Sequence, residues 1–216
     1  MTRPAVLFSS GLDSAVLLLD VAAQHGGAVP IYVDVGLAWE AEERAMAERF
    51  LAALPAAAGV RPLTVLGVDM RDVYPASHWA MRGDAPGFDT PDQDVYLEGR
   101  NVVLLSKAAV FAVRAGCSSL FLGPLAGNPF PDASPEFLAA IARALSIGLG
   151  TEIAVEAPFL HLRKSDVIRK GVALGVPFAL TLSCMQPADA VHCGRCSKCR
   201  ERRDAFREAG IEDPSR

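Results

Sequence analysis

Short apolar runs alternate along the chain with longer segments whose apolar positions recur every three or four residues. The runs at residues 5–8, 29–35, 61–68, 118–122 and 153–156 read as buried strands, the second rich in β-branched residues. The longer segments at residues 12–24, 39–54, 99–115, 135–149, 164–174 and 200–209 carry helical spacing. Residues 69–98 hold Pro, Gly, Asp and Trp without a period and predict a long loop, a lid or a contact between two copies. Strands alternating with helices of this length imply right-handed βαβ units and a parallel sheet.

Ligands of such sheets bind at the carboxyl ends of the strands. The stretch Phe8-Ser9-Ser10-Gly11-Leu12-Asp13-Ser14 leaves the first strand there and opens a helix. A helix N-terminus offers unpaired N–H groups and partial positive charge to an anion. Gly11 permits close backbone approach, Ser9, Ser10 and Ser14 add hydroxyls, and Asp13 suits a Mg²⁺ ion or the turn's own amides. The simpler alternative is that Ser9 or Ser10 caps the helix.

The chain has 216 residues, enough for one main domain with an appendage, and 51% apolar residues support a sizeable core. No apolar run approaches the ~20 residues of a membrane span. Met1-Thr2-Arg3-Pro4 leads straight into the first strand, leaving no room for a signal peptide and predicting a cytoplasmic protein. A net charge of −4 argues against a broad nucleic-acid face. Arg195, Lys198, Arg200, Arg202, Arg203 and Arg207 crowd one segment, but Glu201, Asp204 and Glu208 dilute them, so a solvated helix face is favoured over an RNA grip.

Four of the five cysteines, Cys184, Cys193, Cys196 and Cys199, lie within sixteen residues. In a reducing compartment such spacing points to a metal, and four thiolates close a structural zinc site. An iron–sulfur cluster or free thiols are the alternatives. His192 is a fifth candidate ligand but reads as an exposed loop residue, and Cys117 as a small buried apolar one.

The opening stretch lacks the closing Gly-Lys of a Walker loop. It resembles the S-G-G-x-D-S pyrophosphate loop of N-type ATP pyrophosphatases, with Ser10 replacing a glycine, a change that fits if Ser10 keeps φ below zero. Together with the cysteine spacing it resembles the 7-cyano-7-deazaguanine synthase family. Gly99-Arg100-Asn101, Gly123, Phe130-Pro131-Asp132, Glu156-Ala157-Pro158-Phe159 with Lys164, and Leu182-Ser183-Cys184 are similar to that family's P-G-R-N, strand-end glycine, Y-P-D, E-T-P-L with lysine, and W-S-C. The resemblance implies a Rossmann-like, HUP-type parallel sheet with helices on both faces. Residues 1–160 would form the ATP pyrophosphatase domain, and residues 161–216 a helical appendage holding one structural Zn²⁺. It further implies ATP, Mg²⁺, an ammonia donor and a homodimer. The implied reaction is adenylation of a 7-deazapurine carboxylate, then amide and nitrile formation.

On that basis Ser9, Asp13, Ser14, Arg100 and Lys164 are the expected catalytic residues. Residues 8–14 with Asp34, Arg100, Asn101, Gly123 and Lys164 are the expected nucleotide site. Each has a plainer reading: Lys164 as a surface lysine, Arg100 as a partner of Asp92 or Asp94, Asp34 as a turn cap.

Three segments depart from the family pattern. D-Y-G-Q-x-H reads Asp34-Val35-Gly36-Leu37-Ala38-Trp39, P-D-C-R reads Pro131-Asp132-Ala133-Ser134, and E-T-D-F-S reads Pro124-Leu125-Ala126-Gly127-Asn128. These departures leave open a paralogue acting on another carboxylate or joining a deazapurine to another acceptor. A non-catalytic nucleotide- or partner-binding module is a further alternative. RNA-modifying relatives such as tRNA thiolases are disfavoured by the acidic balance.

Overall fold

Ala5 and Val6 point to opposite sides of their strand, yet both are completely buried. That double burial puts Ala5–Leu7 (β1) at the centre of a five-stranded sheet in the computed structural model, which describes residues 3–215. Met1 and Thr2 of the expected lead-in lie outside the described residues, as does Arg216. β1 pairs in parallel with Val29–Asp34 (β2) and Ser119–Phe121 (β4); Thr64–Gly67 (β3) and Ala154–Glu156 (β5) flank these, giving the order β3-β2-β1-β4-β5. All pairings are parallel, as the alternation of strands and helices predicts.

Among the described residues seven α-helices connect and cover the strands: Leu12–His25 (α1), Glu40–Ala52 (α2), Trp79–Arg82 (α3), Arg100–Arg114 (α4), Pro135–Leu149 (α5), Lys164–Ala173 (α6) and Ser197–Ala209 (α7). The period-2 alternation of the strands sorts them into two cores. Ala5, Ile31, Val33 and Leu120 pack with Leu105 and Ala108 of α4 and Leu138 of α5. Val6 and Phe121 pack with Val16 and Leu17 of α1, Val167 and Ile168 of α6, and Ala205 and Phe206 of α7. No helix among the described residues is long and apolar enough to cross a membrane.

Close packing of α6 on α1 depends on Gly171. A Cβ there would stand 2.4 Å from the Phe178 ring and 2.7 Å from a Val16 methyl, so only a residue without a side chain lets the helices meet at this distance.

Element boundaries follow the expectations to within a few residues, with instructive exceptions. The third strand begins at Thr64 rather than 61, since Pro62 has no N–H for the ladder. The last helix starts at Ser197, directly after Cys196, three residues ahead of its expected start. Residues 69–98 contain α3 and a 3₁₀ turn at Asp92–Val95, and bury Tyr74, Ala80, Val95 and Leu97 against the first core. Elements of four residues are too short to impose a visible period, which is why the segment reads as loop.

Candidate functional site

Helix α1 starts at Leu12 with Gly11 as its N-cap, and no side chain caps it. The simple capping role considered for Ser9 or Ser10 is therefore not realised. Instead the hydroxyls fold over the turn: Gly11 N donates to Ser9 Oγ at 3.4 Å, Ser9 N to Ser14 Oγ at 3.3 Å, and Ser14 Oγ to Gly11 O at 3.0 Å. A Cβ on Gly11 would sit 3.3 Å from Ser9 Oγ, crowding this cradle.

Ser10 contradicts its expectation. Its φ is +60°, the left-handed region that favours glycine, and its completely buried side chain turns away from the cradle. Ser10 Oγ donates to the carbonyl of Glu43 at 3.0 Å, and Ser10 O accepts from Leu182 N at 2.9 Å. The loop is thus pinned to α2 and to the segment leading into Cys184.

Two contiguous cavities share this loop. The first, about 300 Å³, lies over the carboxyl ends of β1 and β2, where Tyr32, Val33, Leu104, Phe130 and Asp132 join the wall. The second, about 540 Å³, adds Trp39, Glu43, Trp79, Lys164, Cys184 and Glu201. Ser9, Gly11, Asp13, Arg100 and Gly123 line both. Phe8, Ser14 and Asn101 reach the first only, Leu12 and Lys164 the second only. The structure therefore gathers the expected residues, apart from Ser10 and Asp34. Asp34 lies outside the first cavity's wall; its Oδ1 accepts from Gly36 N at 3.2 Å, the turn-capping role.

Charge at the junction is organised around Lys164. The side chain is 14% exposed, so it is no surface lysine. Asp166 accepts from Arg163 N at 3.3 Å and starts α6 at Lys164, aiming the ammonium at Asp13 Oδ2, 3.1 Å away, and Glu201 Oε1, 2.5 Å away. Burial alone would lower the Lys164 pKa, but the two carboxylates outweigh it and hold it above the ordinary value. Burial works on Glu201 in the opposite sense; Lys164 and Lys198 nevertheless bring it down to about 2. Burial raises Asp13 against the pull of Lys164, and its Oδ1 is buried with no partner.

Arg100 has no ion pair with Asp92 or Asp94; Asp92 pairs with Arg200 at 3.4 Å. Among the described residues it forms no salt bridge, and its buried Nε is unpartnered. Asn101 beside it holds Asp132, donating from its backbone N to Oδ2 at 2.9 Å. Ser134, where the family pattern carries arginine, caps α5 by accepting from Phe137 N at 3.1 Å. Behind Arg100, Tyr32 donates to Glu43 Oε2 at 2.8 Å. Burial pushes Glu43 up to about 7, against the pull of Arg100.

Sequence reasoning missed Glu201 and Glu43 as site residues. Glu43 was within reach: with Ala47 and Phe50 it lies at i, i+4 and i+7, an acid on the buried stripe of α2.

The four cysteine sulfurs lie within 4.8 Å of one another. Cys184–Cys196 and Cys193–Cys199 are 3.9 Å apart and Cys196–Cys199 3.5 Å. Four thiolates bound to one zinc at ~2.3 Å stand about 3.8 Å apart at tetrahedral angles, so the donor set fits a single four-coordinate ion. Crowding pushes the Cys184 thiol pKa far up, chiefly through its hydrogen bond with Cys196; the cluster needs protons or a cation. His192 is not exposed as expected: it is half-buried, and its Nε2 accepts from Ser183 N at 3.0 Å. Cys117 is buried, as read. The basic segment is largely paired: Arg202 with Asp213, Arg203 and Arg207 with Asp204, Lys198 with Glu201.

The fold is similar to a predicted tRNA methyltransferase subunit from Methanocaldococcus jannaschii, with TM-score 0.53 at 14% identity over 100% of this chain and 91% of that one. A 4-thiouridine synthetase solved with RNA and ATP matches with TM-score 0.52 at 15% identity, over 97% of this chain and 50% of that one. Both likenesses concern the fold alone, and they agree with the expected Rossmann-like parallel sheet. In sequence the chain is 34% identical to a 7-cyano-7-deazaguanine synthase of Methanoculleus marisnigri, covering 99% of this chain and 98% of that protein. It is 36% identical to one of Xanthomonas oryzae pv. oryzae, covering 100% and 97%. Residues 3–210 match the model of the queuosine biosynthesis protein QueC, and the chain belongs to that family.

Proposed function

We propose that the chain makes 7-cyano-7-deazaguanine from 7-carboxy-7-deazaguanine, ATP and ammonia, with the chemistry at the junction of the two cavities. A carboxylate oxygen attacks the α-phosphorus of ATP; the new C–O–P bond forms as pyrophosphate leaves. Ammonia then attacks the acyl carbon, AMP departs and a proton is lost, giving the amide. The amide oxygen then attacks the α-phosphorus of a second ATP as a second pyrophosphate leaves, and loss of AMP and of both N–H protons leaves the nitrile.

The observation that carries this reading is the pair Asp13 and Lys164 beside a helix N-terminus without a side-chain cap, with Asp13 on the wall that both cavities share and Lys164 reaching it from the second. One cavity suits the adenosine and the other the acid, so the two reactants meet where charge leaves. Lys164, Arg100 and the α1 amides would receive the departing pyrophosphate, and Ser9 and Ser14 add neutral donors. Arg100 suits this because it is a cation without a protein counter-ion. Mg²⁺ would sit on Asp13, whose orphaned Oδ1 fits a hard cation, and would neutralise phosphate oxygens. Zn²⁺ on Cys184, Cys193, Cys196 and Cys199 would be structural, because four thiolates leave no open position.

Of the three departures, Trp39 and residues 124–128 line the second cavity. The altered wall motivates the paralogue alternative, but likeness to named 7-cyano-7-deazaguanine synthases over nearly the full length favours this acid. Assembly as a homodimer and a cytoplasmic location belong to the same reading; light scattering checks the first. The central test is exchange of labelled pyrophosphate into ATP by purified protein. Exchange should require 7-carboxy-7-deazaguanine, and with ammonia the nitrile should appear by mass spectrometry. Folded, metal-loaded protein that gives no exchange with this acid refutes the reading.

A further inference from the structure

The second cavity contains both tryptophans of the chain and a buried carboxylate, and neither the loop nor the cysteine site uses them. Trp39 comes from the turn before α2, and Trp79 opens α3 in the 69–98 segment. Their rings are nearly parallel, 10° apart with centroids at 5.7 Å. Trp39 is almost fully buried and Trp79 half-buried, and both indoles line the cavity wall.

The acids of this wall are not equivalent. Asp13 and Glu201 are engaged by Lys164. Asp92 pairs with Arg200, and the more exposed Glu208 with Arg163. Glu43 alone is buried and, among the described residues, has no salt bridge. Tyr32 uses one lone-pair site of Oε2 and the Trp39 side chain also donates to the carboxylate; a carboxylate offers about four such sites, so acceptor capacity remains. A buried carboxylate without a cation is costly unless donors reach it.

We propose that Glu43 and the Trp39–Trp79 stack form the recognition surface for the heterocycle of the acid. This assignment rests on the function proposed above. A guanine-like ring has two adjacent donors, N1–H and the 2-amino group, and a flat π face. A carboxylate accepts both donors side by side, and an indole covers the face. Glu43 belongs to α2, which Ser10 pins to the loop through the Glu43 carbonyl. The base-reading carboxylate and the phosphate cradle are therefore built on one rigid joint, which fixes the ring relative to the reacting carboxylate. Glu43 is a specificity-determining residue here and takes no part in bond making.

Because both tryptophans lie in this wall, indole fluorescence reports its occupancy directly. Titration of the wild-type protein with 7-carboxy-7-deazaguanine should change that fluorescence, and the analogue lacking the 2-amino group should bind about tenfold to a hundredfold more weakly. Glu43→Gln, nearly isosteric, should lose this preference while leaving KM for ATP unchanged. Trp39→Leu should weaken both acids alike, and Trp39→Phe should restore much of the binding. An unaltered preference for the 2-amino group in Glu43→Gln, in protein shown by circular dichroism to be folded, overturns the assignment. Wild-type exchange that proceeds at saturation with no change in fluorescence overturns it too, and leaves the parent reading standing. Absence of exchange in the wild type overturns both.

Discussion

Lys164 Nζ lies 3.1 Å from Asp13 Oδ2, so one ammonium ties the first turn of α1 to the first turn of α6. A third element joins through Glu201 of α7 at 2.5 Å, and Lys198 completes the chain of charges at 2.7 Å from Glu201. The network lets the helix that follows the cysteine site set the position of the ammonium beside the loop.

The partners in this network are not interchangeable. Asp13→Asn leaves Lys164 bound to Glu201, whereas Lys164→Met strands the Asp13 carboxylate and leaves Glu201 with Lys198 alone. We expect Asp13→Asn to keep its melting temperature close to wild type while losing nearly all adenylation. Lys164→Met should lower both, with a rate loss of about 10²–10³ from the missing charge on the departing pyrophosphate. Calorimetry and pyrophosphate exchange on both variants test this. A Lys164→Met protein as stable and as active as wild type would remove the ammonium from the mechanism.

Gly171 governs how near α6 comes to α1, and thereby where Lys164 stands. Gly171→Ala must push the Phe178 ring or the Val16 methyl aside. Overpacking of this kind costs about 1–3 kcal/mol, and α6 should retreat with its first residue. The melting temperature should fall by several degrees and kcat should fall with it. Helix propensity alone predicts the opposite, a gain in stability from alanine, so a stabilised variant would show that this contact relaxes freely.

How far the chain spoke for itself depends on the kind of information. Sheet, helices and cysteine site were legible because periodicity and close sequence spacing encode them: Ala5 and Val6 announce a buried strand, and Cys193, Cys196 and Cys199 a knuckle. The backbone state of Ser10 was not, because a serine in a motif does not reveal its φ. Glu201 lies 188 positions from Asp13 in the sequence, and only the packing of α6 and α7 brings both to Lys164. The 69–98 segment hid its order in aromatic contacts without a period, Trp79 on Trp39 and Tyr96 on Phe130.

Ser10 holds a positive φ as a non-glycine, a conformation costing about 1–2 kcal/mol, and its hydroxyl bond to Glu43 O compensates. Ser10→Ala keeps the strain and forfeits the bond; Ser10→Gly forfeits the bond and relieves the strain. Glycine should therefore be the less damaging substitution, by about 1 kcal/mol. Urea denaturation of the two variants decides this, and alanine as the better tolerated residue would contradict the φ.

The cysteine site should hold one zinc per chain, measurable by elemental analysis of the purified protein. Cys196 is buried at the N-cap of α7. Loss of one thiolate breaks the closed shell, and with it free energy that folds residues 184–199. Cys196→Ser should lose metal and expose α7 to proteolysis. It should also lose exchange activity, since Glu201 no longer reaches Lys164. Retained metal with unchanged thermal stability would contradict a structural role.

Stability should also carry a pH signature from Glu43. Its folded pKa, pushed up to about 7 by burial, lies above the ordinary value of 4.5, so the folded state binds this proton more tightly than the unfolded state. Below pH 4.5 both states are protonated and the group contributes nothing. As pH rises the unfolded chain ionises first, and the unfavourable contribution grows until it is full above about pH 7. A shift of this size corresponds to about 3 kcal/mol. Glu40 is pushed up to about 7 as well, chiefly by burial, and its effect is common to wild type and Glu43→Gln. Denaturant titrations at pH 5 and pH 8 should show wild type losing more stability across the interval than Glu43→Gln. Parallel losses in the two proteins would mean that Glu43 is ionised at the lower pH, its proton displaced by Arg100.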